Sequence, residues 1–179
     1  MGLCELIRLD DGRFLELAEV NGKGRVRHAM LHPRVAPVAW FRIAHSLHEK
    51  GWRRLASFIC LLILLVFGAE FPARASIGHS FVLPHPNGVV IGSAEIGDRV
   101  TLFQHVTLGA RRFEGKYDLS LRPRLGNDVT VGASATILGP ISIGDGAVIA
   151  ANSLVLADVP QGCHAIGVPA IIKSGKAAT

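Results

Sequence analysis

The chain has 179 residues, the size of one ordinary domain or of a small domain with an appendage. Hydrophobic residues make up 49% and charged residues 18%, which excludes a disordered, solvating chain. Nineteen Lys and Arg against fourteen Asp and Glu leave a net charge of +5, a balance that suits an anionic partner. Twenty Gly beside only eight Phe, two Trp and one Tyr point to an aliphatic core and a tightly coiled β architecture.

In chain order, MGLCELIRLDDGRFL does not read as a secretory signal, because acids interrupt it before an apolar run develops. Gly2 stands where a myristoylated glycine would, but position 6 is Leu6 where Ser or Thr is wanted. Cys4, Cys60 and Cys163 lie far apart, in no spacing of a disulfide framework or a cysteine-built zinc site. These features predict an intracellular, cytoplasmic protein.

Residues 1–76 differ in composition from the rest. They hold five of the eight Phe and both Trp, and residues 23–54 carry eight basic side chains against the single acid Glu49. Pro37 can open a helix, and Trp40, Ile43, Ala44 and Leu47 follow at i, i+3, i+4 and i+7 as an amphipathic stripe that Gly51 would end. Residues 55–69, LASFICLLILLVFGA, carry no charge. A bilayer-spanning helix needs about 20 apolar residues, so this segment predicts a helix packed in a subunit interface or under the main domain. The competing expectation is a helix peripheral on the inner face of the cell membrane, its basic 23–54 flank against anionic headgroups.

From Ile77 the pattern becomes a repeat of period six. Leu125, Val131, Ile137, Ile143, Ile149 and Val155 recur without a miss, and the same register is extended through Val90, Ile96, Leu102 and Leu108, with Ile77 and Leu83 before them. One extra residue falls between Leu83 and Val90, and a longer insertion between Leu108 and Leu125. A six-residue period fits neither a helix nor a flat strand. It fits a short strand and a turn, with one aliphatic pointing inward per side and a small residue at the corner; three sides make one coil of a parallel β-helix. Residues 77–160 then make roughly four coils of eighteen. The chain divides into a helical, apolar region (1–76), a repeat domain (77–173) with an extruded loop (110–123), and a tail (174–179).

Several segments resemble a known family: IGHSFVLPHPNGVVIG (77–92), VTLFQHVTLGA (100–110), RPRLGNDVTVGASATILGPISIGDGAVIAANSLVL (122–156) and AIGVPA (165–170). They look like the serine O-acetyltransferases and, more broadly, the hexapeptide-repeat acyltransferases, which are left-handed parallel β-helices. The resemblance covers about residues 70–173. The N-terminal part is similar to the short helical region of the serine-acetyltransferase-like O-acetyltransferases of bacterial polysaccharide biosynthesis. The resemblance implies acetyl transfer from acetyl-CoA as co-substrate to a hydroxyl, with no metal and no nucleic-acid partner, in a homotrimer whose sites lie between subunits.

Acetyl transfer needs a base near neutral pH as the hydroxyl attacks the thioester, and histidine suits that task. By motif position the base is His85, and the carboxylate that orients it is Glu70, fifteen residues earlier, where the family has Asp. Gly109 and Ala110 are carried over as backbone N–H donors and cofactor contacts. Ala133, Ala151, Gly167 and Pro169 are carried over as contacts of the pantetheine arm, and Lys173 and Lys176 would meet the CoA phosphates. His105 and Arg122 are the candidate acceptor-binding residues.

Where the family places Asp, Arg and His to clamp the amino and carboxylate groups of serine, this chain has Pro84, Leu121 and Arg122. A site that loses such partners loses its zwitterion, so the expected acceptor is a sugar or polysaccharide precursor, rimmed by Arg111, Arg112, Phe113 and Tyr117. The alternative is L-serine, giving O-acetylserine for cysteine biosynthesis. A non-catalytic β-helix scaffold is a remote reading. So is a metal-dependent lyase of the γ-carbonic-anhydrase kind, whose close His pair on one coil His79, His85 and His105 do not supply.

Overall fold

The computed structural model describes residues 1–92, 95–112 and 118–175. Four helices come first: α1 (Leu3–Leu17), α2 (Val26–Leu31), α3 (Ala36–Glu49) and α4 (Arg53–Phe67). Pro37 lies in the first turn of α3, where its missing N–H costs no helical bond. Gly51, at φ +86°, lets the chain reverse into α4.

The buried face of α3 differs from the expected stripe. Val38, Phe41, Arg42 and Ala44 are buried, whereas Trp40, Ile43 and Leu47 are only half-buried. The helix is held from two sides: Val38 and Phe41 join the main core, while Ala39 and Ile43 pack with Ile7 and Phe14 of α1. A single amphipathic stripe describes a helix with one partner, and this one has two.

Arg42 joins the helical region to the first coil. Its guanidinium donates to the Asp10 carboxylate through Nε at 2.9 Å and to the Ile77 carbonyl through Nη1 at 2.6 Å. Asp10 also accepts the Phe81 N–H at 2.9 Å. Both side chains are buried, at 3% and 1% exposure, so the pair is desolvated but fully bonded.

Helix α4 buries Ala56 and Ile63 and turns an apolar face outward, with Phe58 55% and Leu65 71% exposed beside Leu55, Leu61, Leu64 and Val66. Packing under the main domain therefore accounts for only one side of it. Among the described residues no helix is long and apolar enough to cross a membrane.

From Ser76 the chain passes through three sheets in turn. The first sheet stacks Ser76–Ile77, Glu95–Ile96, Arg124–Leu125 and Ser142–Ile143; the third stacks Val90–Ile91, Thr107–Gly109, Thr136–Leu138 and Leu154–Val155. The second stacks Thr101–Leu102, Thr130–Val131, Val148–Ile149 and Cys163–Ile166, and ends with the antiparallel strand Ile171–Ser174. All other pairings within the sheets are parallel. Pairing advances 18 positions from Thr130 to Val148 but 29 from Thr101 to Thr130, so eleven extra residues leave the coil after Gly109. This is the parallel β-helix that the six-residue period predicts.

Leu125, Val131, Ile137, Ile143, Ile149 and Val155 are all buried. Each side nevertheless buries two positions rather than one, because Val129, Ala135, Ile141, Ala147 and Ser153 stand two residues earlier and point the same way. The register at Val90 is also corrected. Val90 pairs with Thr107 and is half-buried, while Ile91, at 1% exposure, pairs with the inward Leu108. Leu83 and Ile91 are eight positions apart and Ile91 and Ile96 five, so the corner after Leu83 carries two extra residues and the next is one short.

Candidate active site

The two extra residues swell the corner Pro84-His85-Pro86-Asn87-Gly88, which joins the second sheet to the third. The coils above stack on it in sequence. His105 N–H donates to the Asn87 carbonyl at 3.1 Å, Ser134 N–H to the Gln104 carbonyl at 2.9 Å, and Asn152 N–H to the Ala133 carbonyl at 2.8 Å. One edge of the β-helix thus carries His85, His105, Ala133 and Ala151, four of the residues singled out in the sequence.

His105, Ser134 and Asn152 each have φ between +58° and +59°, and each stands three residues before an inward aliphatic. The left-handed corner turns these side chains out of the coil. A Cβ on Gly88 would collide with the His105 imidazole at Nδ1, so the bare glycine leaves the ring its place beside the His85 corner. Gly88 itself has φ +72°.

Glu70 approaches the same corner from below. Its N–H donates to the Val89 carbonyl at 2.8 Å, its carbonyl accepts the Ile91 N–H at 3.0 Å, and Gly88 N–H donates to the Gly68 carbonyl at 2.8 Å. The Glu70 backbone is therefore the rung beneath Val90. Both the Glu70 and His85 side chains are exposed, and within the single chain no hydrogen bond joins them among the described residues.

The remaining positions lie across the third sheet or at its end. Gly109 closes the strand Thr107–Gly109, accepts the Gly139 N–H at 2.9 Å and is followed by half-exposed Ala110. Arg122 reaches back with Nη1 to the Gly92 carbonyl at 3.0 Å. Arg111 folds up against the Leu138 and Leu156 carbonyls, and Leu121 is exposed on a 3-10 turn, Leu119–Leu121. The Ser120 hydroxyl and N–H hold the Asp118 carboxyl at the start of that turn below the usual carboxylate range. Arg122 and His105 hence border the same two- to three-residue strands from opposite sides. Phe113, Lys116, Tyr117 and Lys176 lie outside the described residues.

At the far end, Gly167 accepts the Leu154 N–H at 3.0 Å and Ala170 donates to the Leu154 carbonyl at 2.8 Å, which seats the Gly167–Ala170 turn on the last strand of the third sheet. Pro169 and Lys173 are exposed. The edge from His105 to this turn carries the short side chains of Ala133, Ser134, Ala151 and Asn152, with Lys173 near its end.

The residue pattern assigns no role to Asn87 or to Gln104, the neighbour of His105. The Asn87 amide lies against Gly68, where a Cβ would sit 2.8 Å from its nitrogen, and the Gln104 side-chain oxygen is buried without a hydrogen-bond partner among the described residues. Their signal was available: both are polar residues in the corners that flank His85. Among the described residues, no group of three or more His, Cys, Asp or Glu is placed to hold a metal ion.

Residues 122–157 match the family described as bacterial transferase hexapeptide (six repeats). Over 139 residues the chain is 40% identical to the serine acetyltransferase of Helicobacter pylori strain 26695, covering 77% of this chain and 80% of that one. It is 44% identical over 131 residues to serine acetyltransferase 4 of Arabidopsis thaliana, covering 73% of this chain and 36% of that longer one. In three dimensions it is similar to the crystal structure of the Neisseria gonorrhoeae serine acetyltransferase, with TM-score 0.86, 29% identity, and coverage of 99% of this chain and 68% of that chain. A serine acetyltransferase in complex with CoA superposes with TM-score 0.82 and 28% identity, over 96% of this chain and 69% of that chain.

Proposed function

Since the chain belongs to the serine acetyltransferase family of hexapeptide-repeat transferases, and is an acetyltransferase, we propose that it moves the acetyl group of acetyl-CoA onto the hydroxyl of L-serine. The observation that carries this is the 40% identity over four-fifths of the Helicobacter pylori enzyme. The saccharide acceptor expected from Pro84, Leu121 and Arg122 has no counterpart among these relatives, nor has a role in polysaccharide biosynthesis, and serine fits them better.

In this reading His85 accepts the proton of the serine hydroxyl as its oxygen attacks the thioester carbonyl. The C–O bond forms, the C–S bond breaks, and the proton passes to the departing CoA sulfur. Glu70 balances the charge that builds on the imidazole. Gly109 and Ala110 supply backbone N–H groups to the oxyanion, Ala133, Ala151, Gly167 and Pro169 border the pantetheine arm, and Lys173 meets phosphate. His105 and Arg122 face the acceptor from the two borders of the third sheet.

The same reading takes the repeat as a left-handed helix of about four coils, its coil length supported by the 18-residue advance of the sheets, and the assembly as a cytoplasmic homotrimer. The exposed face of α4 is covered by a neighbouring protomer; the membrane-surface placement finds no support among the relatives. The test is release of CoA thiol from acetyl-CoA with L-serine and, separately, with sugars, nucleotide sugars and oligosaccharides. Saturable turnover with serine and none with saccharides supports the reading. Turnover with a saccharide and none with serine overturns it.

A further inference from the structure

The inward position before each strand of the third sheet forms a column of Val89, Val106, Ala135 and Ser153, aligned by the pairing of Val90, Thr107, Thr136 and Leu154. All four are at most 1% exposed. Three are apolar, as a core requires, and the fourth carries a hydroxyl. A buried hydroxyl is unfavourable unless it is hydrogen-bonded, so a serine here needs partners.

Ser153 finds them in the strand and turn that close the β-helix. Its Oγ accepts the Gly167 N–H at 3.1 Å and donates to the Ala165 carbonyl at 3.4 Å. The Leu154 backbone makes two further bonds to the same turn, its N–H to the Gly167 carbonyl at 3.0 Å and its carbonyl from the Ala170 N–H at 2.8 Å. Those two form between main-chain groups whatever the side chains are, whereas the bond to the Gly167 N–H depends on Ser153. Gly167 has φ +102°, a conformation that suits glycine. Ser153 also follows Ala151 by two residues in one corner, and Ala150 N–H bonds the Ala165 carbonyl at 2.9 Å. The hydroxyl therefore fixes the spacing between the Ala151 corner and the Gly167–Ala170 turn.

We propose that Ser153 is a positioning residue of the acetyl-CoA subsite, holding the Ala151 corner and the Gly167–Ala170 turn at the separation the pantetheine arm requires. This rests on the acetyl-transfer reading, in which Ala151, Gly167 and Pro169 border that arm. Ser153 lies buried and acts through the Gly167 backbone. Losing one neutral hydrogen bond changes affinity by a modest factor, and the loss falls on the co-substrate rather than on the acceptor.

The experiment compares wild type with Ser153→Ala, Ser153→Val and Ser153→Thr on the full chain. The column already carries alanine at Ala135 and valine at Val106, and threonine has the shape of valine with the hydroxyl kept. The calorimetric Kd for CoA and the KM for acetyl-CoA should rise about three- to tenfold in Ser153→Ala and Ser153→Val, and stay within about twofold in Ser153→Thr. KM for L-serine and kcat at saturating acetyl-CoA should stay within about twofold in all three, and melting temperature within about 4 °C. Exchange of the Gly167 amide proton, read by NMR, should quicken where the hydroxyl is gone and not in Ser153→Thr. Equal CoA affinity in wild type and Ser153→Ala, equal losses in Ser153→Val and Ser153→Thr, or a loss shared by kcat and the serine KM overturns this role. The calorimetric arm needs no acceptor, so it decides the role even if serine is not acetylated, which would count against the proposed function alone. Wild type that binds no CoA overturns both.

Discussion

The His105 imidazole occupies the space that a side chain on Gly88 would take, one coil above. The two residues lie on the same edge of the β-helix, and His105 N–H also bonds the Asn87 carbonyl at 3.1 Å. The contact places a second histidine against the corner that holds His85.

Gly88→Ala is therefore expected to act twice. It puts a Cβ at φ +72°, costing about 1–3 kcal/mol, and pushes the His105 ring from its place. Melting temperature should fall and serine-dependent turnover should fall further than the stability loss explains, whereas His105→Gly should keep the fold. Unchanged turnover in Gly88→Ala at a temperature where it is folded would count against any role for His105.

His85→Ala should lower turnover about 10²–10⁴-fold, the usual contribution of a positioned general base. CoA affinity by calorimetry should hardly change. Glu70→Gln should cost less, because an amide still orients the ring but cannot balance its charge. Near-normal rates in His85→Ala would sink the mechanism.

Arg42→Leu should destabilise by about 3–5 kcal/mol in denaturant unfolding, since it leaves the buried Asp10 carboxylate without its partner. Burial already pushes Asp10 up from the ordinary carboxylate value, against the opposing pull of Arg42. Replacing both residues with leucine should cost less than the two single changes added together. Strict additivity would show that the pair is not coupled.

Burial, helped by nearby His28 and Arg34 and opposed by Asp11, holds His32 below its ordinary value. As pH falls through about 6.5 the unfolded chain binds a proton there that the folded chain resists. Stability from this residue is thus present above that pH and lost below it. The drop in melting temperature between pH 7.5 and 5.5 should be smaller in His32→Gln than in wild type; equal drops would remove His32 from the account.

If α4 is covered by another protomer, Phe58→Glu and Leu65→Glu should lower the sedimenting mass, and wild-type protein should ignore anionic liposomes. Salt-sensitive co-sedimentation with those liposomes would instead return α4 to a membrane surface.

Much of this molecule is legible from residue order alone. Six aliphatics from Leu125 to Val155 at spacing six are buried together because the chain coils: a helix would spread that period around its circumference, and the small residues between them turn the chain after each short strand. The slip around His85 and the insertion after Gly109 are visible for the same reason: a regular repeat exposes whatever breaks it. Tertiary structure decided the rest. Val90 yields the inward position to Ile91 because pairing with Leu108, not spacing from Leu83, sets the register. Trp40 gives way to Phe41 in the core because α3 has two partners rather than one. The meeting of Gly88 with His105 joins residues far apart in the chain. Local pattern records which face of an element is apolar, but the neighbour that face meets depends on how distant segments stack.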